Sequence, residues 1–155
     1  MTSLFASMIK IDSKTLEDLE FPVVLQQVSN FCITDPGKQR VLSIMPFDDS
    51  EYIQTALQQV KEYTASFGSD APIPNHGFEN ILYELQFLAI DDSFLEVGSF
   101  KKISNLTETA ITLIQFLKKF ETYYPQLYQR SATIDCVKLI TQRIDEVIDK
   151  FGIIK

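Results

Sequence analysis

The chain of 155 residues has no tryptophan, a single histidine, two cysteines, five glycines and six prolines. No uninterrupted apolar run approaches the ~18 residues a membrane-spanning helix needs. Two cysteines far apart, Cys32 and Cys136, exclude a disulfide framework and fit reduced thiols in the cytoplasm. The scarcity of glycine and proline excludes collagen-like and low-complexity classes. Positive charge is also short: 14 lysines and arginines face 21 acidic residues, a formal net charge of -7. Such a balance argues against a non-specific nucleic-acid binder. What remains is ordinary for a globular domain, with 45% hydrophobic and 23% charged residues.

The charge is unevenly spread. Residues 1–100 carry 15 acidic and 5 basic side chains, a net of -10, whereas 101–155 carry 6 and 9, a net of +3. A phosphate-bearing partner therefore has its candidate contacts in the last third, at Lys118, Lys119, Arg130, Lys138 and Arg143. The competing reading is a set of solvated helix faces.

Hydrophobic periodicity predicts helices throughout. A short one over 14–20, capped by Asp12 or Ser13, breaks at Phe21-Pro22. Phe21, Val24, Leu25, Val28, Phe31 and Cys32 then follow helical spacing. Thr34-Asp35-Pro36-Gly37 reads as a cap for a helix over 36–44, and Asp48-Asp49-Ser50 opens another reaching Phe67, with Gly68 as its cap. Residues 68–78 form a loop, followed by a helix over 79–88. Ser93 and Glu96 have capping-box spacing for the longest element, 94–120, a rod of roughly 37 Å. A second long helix is expected over 131–151, striped by Val137, Ile140, Ile144, Val147, Ile148 and Phe151 and capped by Gly152. Two isoleucines in the tail suit a chain cut from a longer one, and predict exposed apolar surface around Ile148, Phe151 and Ile154. The fold class is all-α: a helical bundle with two long helices over 12–155. Residues 1–11 form an N-terminal extension that need not be ordered.

Catalytic chemistry finds little footing. Gly37-Lys38 suggests a phosphate loop, but Cys32 and Gln39 stand where that motif needs glycine and serine or threonine. Cys32, Cys136 and His76 lack the spacing of a zinc site. The acid pairs at 48–49 and 91–92 are explained as helix caps. His76 reads as a loop residue rather than a base. Tyr123, Tyr124 and Tyr128, near Lys118, Lys119 and Arg130, can stack on bases, although a helix-helix connector that buries the rings and leaves the hydroxyls wet is the favoured reading. No catalytic, cofactor-binding or metal-ligating residue is assigned.

The order of the landmarks carries more. Thr15-Leu16-Glu17-Asp18-Leu19-Glu20-Phe21 comes first, followed by Thr34-Asp35-Pro36-Gly37-Lys38 and Pro46. A helix with Ile53, Leu57 and Glu62 comes next, then Gly77-Phe78-Glu79-Asn80-Ile81. Leu95-Glu96-Val97 opens the long helix, and Ile144-Asp145 and Gly152-Ile153-Ile154 close the series. This set resembles the N-terminal region of the second bacterial MutS family, relatives of DNA mismatch-repair MutS that lack its mismatch-recognition and connector domains. One departure is that Glu84 and Gln86 stand where that family often has a more basic helix.

The resemblance implies a helical core and lever, followed in the parent by a clamp, an ATPase domain using ATP and Mg, and an endonuclease domain. It further implies a cytoplasmic homodimer acting on branched or mismatched DNA, or on ribosomes, with no membrane partner. The fragment itself is expected not to be an enzyme and to hold no cofactor. A free-standing helical protein-interaction adaptor is the alternative, and a small enzyme using His76 a third reading.

Overall fold

Asp12 starts the first helix, accepting the Thr15 amide at 2.7 Å. That amide and the Thr15 hydroxyl hold the Asp12 carboxyl below its ordinary range. A computed structural model describes residues 11–135, 137–149 and 151–155. The extension over 1–11 thus lies outside the described residues except for Ile11, as do Cys136 and Lys150. The chain divides into two compact units, Met1–Leu57 and Gln58–Lys155. Among the described residues the secondary structure is helical, with one isolated bridge between Ile148 and Ile154 and no strand.

The first unit contains α1 (Ser13–Asp18), α2 (Phe21–Ser29), α3 (Asp35–Leu42) and the start of α4 (Ser50–Ser66). Glu20 turns the chain into α2 with a left-handed φ of 54°. Pro22 sits in the first turn of α2, where an amide hydrogen would go unpaired in any case. Thr34 caps α3 by accepting the Gly37 amide at 3.1 Å. A Cβ at position 37 would stand 2.9 Å from the Thr34 Oγ1, so any larger residue there requires that hydroxyl to shift. Gly37-Lys38 is therefore part of a helix start. Asp49 opens α4, accepting from the amides of Glu51 and Tyr52 at 2.8 and 2.9 Å.

The second unit contains the remainder of α4, α5 (Leu82–Leu88), α6 (Val97–Lys119), α7 (Pro125–Ser131) and α8 (Leu139–Val147). At 23 residues, α6 is about 35 Å long. Both α7 and α8 pack on it.

Several boundaries differ from the sequence expectation. The second long helix is α4, with 17 residues, and among the described residues of the segment 131–151 the helical ones are the last residue of α7 and the nine-residue α8. A side chain competes with the helix there: Thr133 Oγ1 donates to the Arg130 carbonyl, and the Ile134 amide turns instead to that of Ser131. The far end stops early because the Asp149 carboxylate takes the Phe151 and Ile153 amides at 2.9 and 2.8 Å. Gly152 supplies the left-handed φ of 80° that folds the tail back. Ile148 is consequently buried rather than exposed, while Phe151 and Ile154 are exposed as expected. The capping box is not formed, since Ser93 Oγ donates to the Phe87 carbonyl and the N-cap of α6, Glu96, makes no side-chain bond. The helix expected from 79 starts at Leu82, where the Asn80 side chain accepts the Leu82 amide at 2.9 Å. Gly68 does not adopt the left-handed conformation of a glycine cap.

The hydrophobic stripes are real, but much of each lies open. On and after α2, Val24, Val28 and Phe31 are exposed, as are Leu57, Val60 and Phe67 on and after α4, and Val147 on α8. Among the described residues the buried hydrophobic ones are Leu16, Leu117, Tyr124 and Ile148, accompanied by Ser29, Ser66, Ser104, Ser131 and Thr141. Four of these buried hydroxyls donate to a carbonyl three residues back in the chain. Small side chains that satisfy themselves suit close helix approach.

Candidate functional site

The five candidate phosphate contacts do not form one patch. Lys118 and Lys119 occupy the last turn of α6, and Arg130 the last turn of α7. Lys138 is the N-cap of α8, and Arg143 lies within it. Arg143 lines a cleft of about 440 Å³ with Phe100 and Ile103, which places α8 beside the N-terminal half of α6. Fifteen residues of helix separate Ile103 from Lys118, about 22 Å along the axis. All five cations are exposed. Arg143 pairs with Glu146 at 3.1 Å, and Lys119 lies 5.3 Å from the centre of the Phe120 ring. Lysines and arginine in final turns also complement the negative ends of the helices.

The three tyrosines divide. Tyr124 is buried, and its hydroxyl lies 3.3 Å from the Ala71 carbonyl and 3.4 Å from Ser69 Oγ. Tyr128 is half-buried, and Tyr123 is 74% exposed. Phe116, Phe120 and Tyr124 form a ring cluster, with centroids 4.7 and 5.8 Å apart from Phe116. Below it opens a cavity of about 370 Å³ lined by Ser69, Asp70, Ala71, Phe120, Tyr123 and Tyr124, together with Gly68.

Two buried carboxylates, unassigned by the sequence patterns, join distant helices. Glu62, 4% exposed on α4, accepts the Gln126 amide at 3.1 and 3.2 Å and the Leu127 amide at 3.0 Å. These are early amides of α7, which begins at Pro125, so an acid 64 residues away caps this helix at its positive end. Glu84, 3% exposed on α5, binds Lys102 of α6 at 3.1 Å, and Glu79 stands 3.8 Å from the same ammonium. Its own backbone amide and then Lys102 hold the Glu84 carboxyl below its ordinary range. Lys102 is raised in turn, first by its hydrogen bond to Glu84 and then by that residue's charge. The sequence signal differed between them: Glu84 lies in the helical phase of Ile81 and Leu88, whereas Glu62 lies on the face opposite Ile53, Leu57 and Val60.

His76 is tied into the loop. Its Nδ1 lies 3.1 Å from the Pro74 carbonyl, and its Nε2 lies 3.4 Å from the Tyr63 hydroxyl. No group of three histidine, cysteine or acidic residues that could hold a metal occurs among the described residues. None of their helices is long and apolar enough to cross a membrane.

Comparison with known proteins places this geometry in context. No family model matches the chain, and no solved structure matches it. Curated relatives do: Endonuclease MutS2 of Pediococcus pentosaceus is 23% identical over 144 residues, covering 92% of this chain and 18% of its own length. That of Caldicellulosiruptor bescii is 23% identical over 147 residues, covering 90% and 18%. The protein of Carboxydothermus hydrogenoformans reaches 36% identity, but over only 52 residues, 34% of this chain and 7% of its own length. The chain is thus distantly similar to MutS2 endonucleases over most of its length, and spans less than a fifth of the length of each of these relatives.

Proposed function

We propose that this chain is the helical core and lever region of a MutS-like protein acting on DNA, a mechanical part rather than a catalyst. The observation that carries the proposal is α6, a 23-residue helix with α7 and α8 packed along it. A rod with side supports transmits a displacement between distant sites without dissipating it locally. The similarity to MutS2 endonucleases over some nine-tenths of the chain supports the same reading. So do the open apolar faces of α2 and α4, which suit a part that packs against other parts. In this proposal the parent is a cytoplasmic homodimer that supplies the ATP and Mg site, the endonuclease domain and the clamp. DNA, with the ribosome as the other candidate, is engaged through that parent.

The test is to kink the rod. Glu108 is exposed midway along α6. In a longer protein carrying these residues, Glu108→Pro removes one backbone hydrogen bond and bends the helix. Nucleotide-dependent change in DNA affinity is expected to disappear, while ATP binding remains. An unchanged nucleotide response in a protein shown to be kinked would remove the lever from the account.

A further inference from the structure

We propose that the cavity between the loop at 68–71 and the end of α6 is a docking site for an arginine side chain of a partner protein. Its volume, about 370 Å³, lies at the small end of ligand sites and accommodates a guanidinium with its methylene stem. Three features of its wall favour a cation. Phe120, Tyr123 and Tyr124 present aromatic rings, whose faces attract positive charge. Asp70 adds a carboxylate; it is exposed, and none of the ion pairs among the described residues uses it. The cavity also lies where α6 ends at Phe120, so the negative end of that helix faces the same region.

Lys119 already places its ammonium 5.3 Å from the Phe120 ring centre, so the ring open to an incoming cation is Tyr123. Tyr123 is 74% exposed, a flat ring on which a planar guanidinium stacks while Asp70 accepts its hydrogen bonds. A nucleobase would find the same ring, but its phosphate would meet the Asp70 carboxylate in the same wall. That carboxylate favours the guanidinium.

The experiment follows the tyrosine ring signals of the whole chain by NMR while acetyl-arginine-amide is added. Saturable shifts at Tyr123 and Tyr124 are expected, with none from acetyl-citrulline-amide, which has the same shape without the charge. Asp70→Asn and Tyr123→Leu are each expected to weaken binding by about fivefold. Both positions are exposed, and an unchanged Phe116 ring signal establishes that each variant is folded. Absence of shifts, equal binding of the citrulline compound, full affinity in folded Asp70→Asn, or tighter binding of adenosine monophosphate would each overturn the proposal.

Discussion

Replacing Glu62 by alanine is expected to destabilise the second unit by about 3 kcal/mol, one of the larger single-residue effects in the chain. The carboxylate receives two main-chain amides of α7, and charge-assisted bonds of this kind are stronger than neutral ones. Its removal leaves those donors without an acceptor in a site closed to water, and takes a negative charge from the positive end of α7. Tyr124, whose hydroxyl reaches the loop at 69–71, immediately precedes that helix. Release of α7 should therefore loosen the loop as well. Chemical denaturation with a tyrosine probe measures both effects. Glu62→Gln keeps one acceptor oxygen and is expected to lose less; a full-sized loss in glutamine and none in alanine would contradict the capping role.

Ser66 gives the second large effect, through size rather than chemistry. At 1% exposure it is the most completely buried side chain among the described residues. Its hydroxyl is already satisfied within α4, donating to the Tyr63 carbonyl at 2.7 Å. Ser66→Ala exchanges one short side chain for another and is expected to stay within about 1 kcal/mol of the original. Ser66→Leu forces three additional carbons into a filled space and is expected to cost about 3 kcal/mol. Thermal unfolding of the two variants side by side separates the alternatives. A tolerated leucine would mean that the helices do not approach closely at this point.

These two residues mark where the fold was legible in the sequence and where it was not. Helices were readable because apolar periodicity and cap chemistry act locally. Asp12, Thr34 and Asp49 all cap where their residue types allow, and α6 runs within three residues of its expected ends. The break between α7 and α8 was not readable. It accompanies the hydroxyl of Thr133 taking the Arg130 carbonyl, a choice that helical periodicity does not register. The tail was misread at Ile148 for a related reason, since the turn built by Asp149 and Gly152 brings Ile154 back beside it.

Apolar spacing sets out the helices but not their burial: of the apolar residues of α6, only Leu117 is buried below a tenth of its surface. Burial is a property of neighbours, and spacing along one helix cannot count them. Glu62 and Glu84 could be named in the sequence but given no structural role, because nothing near a carboxylate in the chain shows its distant partner. Those partners lie in α7 and α6, far away in the chain. The basic third of the sequence is likewise a sum over residues. The structure sets Lys118 and Lys119 at one end of α6 and Arg143 beside the other half.

The central claim is that this chain is a mechanical part whose engagement with nucleic acid depends on regions it does not contain. It is tested most directly by titrating the chain with branched and linear duplex DNA at low and moderate salt. With net charge -7 and its candidate cations divided between two places, the account predicts no saturable binding of either DNA at either salt concentration. Saturable binding that weakens steeply with salt, and is lost when Lys118, Lys119 and Arg130 are replaced by glutamine, would contradict it. It would make the end of α6 a phosphate-contacting surface.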